Sequence, residues 1–222
     1  MKKQVKKHAE KEVNKENKES HEKQIRLVVF FMSVLIIVIF LVYFLIQESK
    51  KFEYDGLKFV KGKQGSLVLY YSSLPISDIN GKVIGSLPFY LREDPRNLER
   101  ISIDGEIRVG KEVILSATPE ILKCDDGLLA ATTLSMNLGK LGIKAIGATT
   151  NKTYAEENNM TYADYDTCLN TNYTTLLFKE GGNSKIRHVD NCYILDTANC
   201  EIMNVTERFI VGLYSRLMGV AS

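Results

Sequence analysis

From Leu27 to Ile46 the chain reads LVVFFMSVLIIVIFLVYFLI, a run without charge in which only Ser33 and Tyr43 carry a hydroxyl. At about 1.5 Å rise per residue, a helix of this length spans roughly 30 Å, the thickness of a bilayer's hydrocarbon core. A helix buried in a soluble core keeps a polar face, whereas this run is apolar all round. The sequence therefore predicts a transmembrane helix over 27–46. The run is longer than the apolar region of a signal peptide, and it leads into QESKKFEY with no small-residue cleavage site, so an uncleaved signal anchor is expected.

The flanks set the expected orientation. Residues 1–26 hold nine Lys and Arg, and residues 47–63 hold five. The positive-inside rule then leaves the N-terminus in the cytoplasm and exports the chain beyond Ile46, giving a single-pass protein of the cell membrane. Two other features agree. All four cysteines, Cys124, Cys168, Cys192 and Cys200, lie beyond the span, as expected of disulfides in an oxidising space. So do the four N-x-[ST] sequons, at Asn151, Asn159, Asn172 and Asn204, which are candidate glycosylation sites of an exterior domain.

The chain's net charge of +2 hides an asymmetry. The tail over 1–26 is Lys- and Glu-rich with few apolar residues, so it cannot bury a face of its own and is expected to be disordered or a fraying helix. Its basic residues suit anionic lipid headgroups. The remainder is mildly acidic, which speaks against nucleic acid as a partner. After a juxtamembrane linker over 47–55, residues 56–222 are enough for one domain with a core of its own.

The first half of that domain reads as strands: GLKFV and SLVLYYS about the turn KGKQG, then SLPFYLRED, ISIDGEIRV and EVILSAT. In CDDGLLAATTLSMNLGKLG the period changes, with Leu128, Ala131, Leu134, Leu138 and Leu141 at helical spacing. Asp125 or Asp126 is placed to cap this helix and Gly142 to end it. IKAIGATT comes next as a strand, so strand, helix and strand form a right-handed βαβ unit. YTTLLFKEGGNSKIRHVDN reads as two strands paired about GGN, and YILD as a buried strand. A closing helix over CEIMNVTERFIVGLYSRLMG puts Val205, Phe209, Ile210, Leu213 and Leu217 on one face, and its Gly212 marks either close packing or a tolerated surface position. The expected fold class is α/β at the border with α+β, a mixed sheet packed by at least two helices.

The stretch HVDNCYILDTANC gathers the residue types of several chemistries. Four cysteines outside the cell most often form two disulfides. Pairing about GGN would bring Cys168 to Cys192. Cys124 and Cys200, each between a strand end and a helix start, would then join; the rival scheme is Cys192–Cys200 with Cys124–Cys168. No C-x-x-C or other close zinc pair occurs, and His188, with Asp190 beside it, reads as a structural histidine. Asp164 and Asp166 form a short D-x-D of the kind that holds a divalent cation, weighed against ordinary loop acids. Ser72 and Ser73 have no base nearer than His188, and none of the common hydrolase motifs is present. The loop after EVILSAT is acidic where a phosphate would need glycine and open N–H groups. No catalytic residue, cofactor site or metal site is expected.

The succession FYLREDPRNLERI, LLAATTLSMNLG, HVDNCYILD and LYSRLMGV resembles uncharacterised single-span surface proteins of archaea, over most of residues 56–220. That resemblance implies an envelope setting and carries no catalytic residues across. The leading expectation is an envelope-anchored module for binding, adhesion or assembly, in contact with the lipid bilayer and with an envelope protein or glycan. The alternatives are a tethered enzyme using Asp164, Asp166 and Asp190, or a pilin-like subunit. A cleft gathering those acids with His188 would favour the enzyme; a broad exposed apolar patch would favour a binding partner.

Overall fold

A computed structural model describes residues 29–219, and the expected disordered tail lies outside them. The chain divides after Lys50 into two units. The first contains α1, Val29–Glu48, a helix long and apolar enough to cross a membrane. The Ser33 hydroxyl donates to the carbonyl of Val29 at 2.9 Å, so the one hydroxyl in the middle of the run is satisfied within the helix. Gln47 bonds the Tyr43 hydroxyl near the other end.

In the second unit the linker expected over 47–55 is shorter. Lys51–Tyr54 is already a strand, β1, paired antiparallel with β2, Leu57–Gln64. β3, Leu67–Ser77, and β4, Val83–Leu91, complete a four-stranded antiparallel meander in the order β1-β2-β3-β4. Leu57, Phe59, Tyr70, Leu74, Phe89 and Leu91 point to its inner side and are buried. A 3-10 turn, Pro95–Arg100, capped by Asp94, leads out of this sheet.

The second sheet has seven strands. It contains β5, Ser102–Asp104; β6, Glu112–Ala117; β7, Lys144–Thr149; β8, Thr161–Tyr162; β9, Thr174–Glu180; β10, Lys185–Val189; and β11, Cys192–Thr197. Their spatial order is β5-β10-β11-β9-β6-β7-β8. β6, β7, β8, β9 and β11 are mutually parallel, while β10 is antiparallel to β11 and parallel to β5. The expected βαβ unit is present: β6, α2 (Gly127–Lys140) and β7, with β6 and β7 parallel neighbours. The short helices α3, Lys152–Glu157, and α4, Tyr165–Leu169, flank β8 in the chain.

Two details of the expected strands change. β9 and β10 do not pair about GGN, because β11 lies between them. All six residues of β11, CYILDT, are buried, which suits a strand covered on both faces; β10, KIRHV, is more polar and takes the outer place. The hairpin is β10–β11, turning at Asp190, whose φ of 53° lies in the left-handed region. The strand expected over 101–109 stops after Asp104. Gly105 has φ 90°, and the next backbone groups turn to a side chain: the Tyr193 hydroxyl accepts from Arg108 N–H at 2.6 Å and lies 3.0 Å from the Glu106 carbonyl.

α5, Ile202–Leu217, packs between the sheets. Tyr214 meets Phe89 of β4 edge-on at 4.5 Å, and on another side Phe209 meets Tyr193 of β11 at 5.6 Å. This double packing explains why Glu207, Val211 and Tyr214 are buried as well as the expected Val205, Phe209, Ile210 and Leu213, whereas Leu217 is exposed. A Cβ on Gly212 would lie 2.8 Å from Ile107 and 3.0 Å from Ile103, so close packing is the reason for that glycine. Of the stripe expected in α2, Leu134 and Leu138 are buried and Ala131 and Leu141 half-buried, whereas Leu128 is exposed; Gly127, Ala130 and Asn137 complete the buried face. The buried Asn137 accepts the Tyr214 hydroxyl at 2.8 Å, a polar member of an otherwise apolar face. Asp126 stands at the N-cap but makes no capping bond; its carboxylate pairs with Arg92 at 3.2 Å. Gly142 ends the helix at φ 74° as expected.

Candidate interaction surface

The feature that stands out from the core is the far end of the β3–β4 hairpin. From Pro75 to Ser86 every residue except Asp78 is exposed, and Ile76, Ile79, Val83 and Ile84 are among them. Four aliphatic side chains in solvent on one hairpin are unlike the scattered apolar residues of an ordinary surface. The sequence builds a defined turn there. The Asp78 carboxylate accepts the N–H groups of Asn80 and Lys82, both at 2.9 Å, and the Asp78 N–H donates to the Lys82 carbonyl. Gly81, with φ 78°, supplies the left-handed residue. Ile79, fully exposed, thus sits on a turn held by its own hydrogen bonds.

Below the tip the register pairs Ile76 with Gly85 and Ser77 with Val83, so Ile84 is an extra residue on β4 and forms a bulge. The outer side of the meander continues the surface. Ser73 pairs with Pro88 and Pro75 with Ser86, and one step further Val60, Tyr71 and Tyr90 form a cross-strand row. The Tyr71 and Tyr90 rings are 6.4 Å apart. Gly62 lies under Tyr71, where a Cβ would come within 2.8 Å of the ring. An aliphatic tip on a hydrogen-bonded turn, together with an exposed aromatic row, offers apolar contact area of the kind protein-binding surfaces use.

No protein family, no curated protein and no solved structure matches this chain.

The cysteines lie on the α/β part of the domain. Cys124 is bonded to Cys200, with Cα atoms 5.5 Å apart, and Cys168 to Cys192, at 5.3 Å. These are the expected pairs, but Cys168 reaches Cys192 from α4, which packs on β9 beside Thr175, the residue that Cys192 of the parallel neighbour β11 pairs with, and not through a β9–β10 hairpin. Cys168, Leu177, Cys192 and Ile194 form a small core on the sheet face away from α5. Cys124–Cys200 ties the approach to α2 to the start of α5.

Each of the candidate acids has a local partner or position. Asp164 caps α4: its carboxylate accepts the Thr167 N–H and hydroxyl, both at 2.8 Å, and the Tyr162 hydroxyl. Those bonds, the tyrosine's first, hold its carboxyl below the usual range. Asp166 is in the first turn of α4, and Asp190 in the β10–β11 turn. His188 stacks on Tyr193, ring centroids 4.2 Å apart and planes within 5°. Ser72 is buried in the meander and Ser73 exposed on its outer side. Among the described residues, no three His, Cys, Asp or Glu side chains form a group that could hold a metal ion.

The sequons differ in access. Asn151 caps α3 through its side-chain oxygen, accepting from Tyr154 N–H at 3.0 Å, and is exposed; Asn159 and Asn172 are exposed in loops. Asn204 is half-buried in α5, and Thr206, the hydroxyl residue of its sequon, is fully buried.

The strand order reverses between β6 and β9, the place where open α/β sheets hold ligands. There the Thr118 N–H donates to the Phe178 carbonyl at 3.0 Å, joining the two strands one step beyond the end of β6.

Sequence reasoning misses the hairpin tip, because it ends one strand at SLVLYYS and begins the next at SLPFYLRED. The signal is present all the same: the apolar residues of LPI and VIG flank DINGK, an Asp-initiated turn with Asn-Gly at its centre.

Proposed function

We propose that this chain is a single-pass protein of the cell envelope, N-terminus in the cytoplasm and the Lys51–Ser222 domain outside, and that the domain is a non-catalytic binding module. Its partner is another envelope protein, docked on the β3–β4 hairpin. The apolar α1 supports the anchor, the excess of basic residues before it supports the orientation, and the two disulfides support an oxidising exterior. The observation that carries the binding role is the hydrogen-bonded tip with Ile76, Ile79, Val83 and Ile84 in solvent. Glycans at Asn151, Asn159 and Asn172, and a place among archaeal single-span surface proteins, belong to the same proposal.

The test uses the full chain in intact cells. A photo-reactive residue at position 79 should cross-link to a second envelope protein, and externally added protease should digest the domain. A domain shielded until the membrane is opened, or a position 79 that forms no adduct, overturns the reading.

A further inference from the structure

A second surface feature lies at the amino ends of β6 and β7, on the opposite end of the sheet from the strand-order reversal. A cavity of about 350 Å³ opens there between the segment entering β6, the α2–β7 connection and the last turn of α5. Its walls are aliphatic: Ile107, Val109, Leu141, Ile143, Leu213 and Leu217. Among the described residues no aromatic side chain lines it, and its polar side chains are the two guanidinium groups of Arg108 and Arg216. The volume is at the lower end of the roughly 300–1,000 Å³ found for small-molecule sites.

The wall that carries Ile107 and Arg108 is fixed. The buried Tyr193 hydroxyl holds the backbone of Glu106 and of Arg108, and Gly212 lets Ile107 lie against α5. The cavity is therefore a built feature of the fold. Its rim carries excess positive charge: Arg108 and Arg216 share one acid, Glu106, and every bond they make to it falls on the same oxygen, Oε2, at 2.6–3.1 Å. A guanidinium has five N–H donors, so both retain donors for an anion.

We infer that this cavity binds an anionic amphiphile with a single alkyl chain: the chain lies along the aliphatic walls, and the phosphate or carboxylate head sits on Arg108 and Arg216. The side chains of the walls other than the two arginines are aliphatic, which selects hydrocarbon inside, and the unmatched charge at the rim selects an anion outside. The site is separate from the hairpin surface and stands or falls independently of it.

The probe is dodecyl phosphate bearing a diazirine on its chain, added to the full-length protein in nanodiscs of neutral lipid, with adducts located by peptide mass spectrometry. Adducts are expected on Ile107, Leu141, Leu213 or Leu217, competed by unlabelled dodecyl phosphate and not by dodecyltrimethylammonium. R108Q with R216Q, both on exposed side chains, should lower this labelling about tenfold while leaving adducts on α1 unchanged. Labelling that ignores headgroup charge, or adducts confined to α1, overturns the inference.

Discussion

The buried carboxylate of Glu207 in α5 accepts the backbone N–H of Arg92 at 2.6 Å; its other oxygen accepts that of Glu93 at 2.9 Å. This is how the central helix grips the end of the meander. Burial pushes the carboxyl up to about 7, and the two backbone bonds oppose the shift without cancelling it. Because the folded-state value lies above that of the unfolded chain, the stabilisation linked to this proton is complete below about pH 4.5 and is lost as pH rises through 7. The loss is on the order of 3 kcal/mol. Glu207→Gln should remove it: denaturant unfolding of both proteins between pH 4.5 and 7.5 should show a difference in stability that changes across this window. A constant difference would refute the assignment.

The disulfides should differ in two measurable ways. Cys124–Cys200 spans 76 residues and Cys168–Cys192 spans 24. In the chain-entropy model, replacing each pair by alanine costs about 4.5 and 3.5 kcal/mol respectively. Cys168 and Cys192 are fully buried, whereas Cys200 is exposed. Graded reduction followed by alkylation should therefore open Cys124–Cys200 first, although it is the more stabilising bridge.

Two glycines of α2 should respond oppositely to the same change. A Cβ on Gly127 would lie 2.8 Å from the backbone carbonyl oxygen of Ile121, which cannot move aside, whereas one on Gly139 meets nothing within 4 Å. Gly127→Ala should destabilise by about 1–3 kcal/mol. Gly139→Ala should stabilise by about 0.5–1 kcal/mol through helix propensity. Thermal unfolding of the two variants decides the matter.

At the hairpin, Ile79→Asp removes no buried contact, so stability should stay within about 0.5 kcal/mol of the parent. Cross-linking from a photo-reactive residue at the neighbouring position 84 should nonetheless fall at least several-fold if the tip is the docking site. Unchanged cross-linking would move the interface elsewhere.

The elements legible in the sequence are those whose pattern is local. α1 announces itself by composition, and β6-α2-β7 by the change from a short apolar run to helical spacing. A β9–β10 pairing is the wrong reading of GGN because a glycine turn indicates that the chain bends, not which strand returns to lie beside it; the burial of every residue of β11 decides that. Leu134 and Leu138 of the expected α2 stripe are buried, but Asn137 escapes the pattern because it is polar, and its burial depends on Tyr214, a partner 77 residues away. The aliphatic cavity leaves no mark on the sequence for the same reason: Ile107, Ile143 and Leu213 come from three separate elements and form no motif.

The position of α5 has a consequence for biogenesis. Every strand of both sheets precedes Ile202 in the chain, yet the greasy sides they turn toward each other have nothing to close upon until that helix arrives. A nascent head must wait, half-assembled and sticky, for its keystone, and a product truncated before it would leave the meander's inner side and part of the larger sheet uncovered before whatever chaperone or protease guards the compartment.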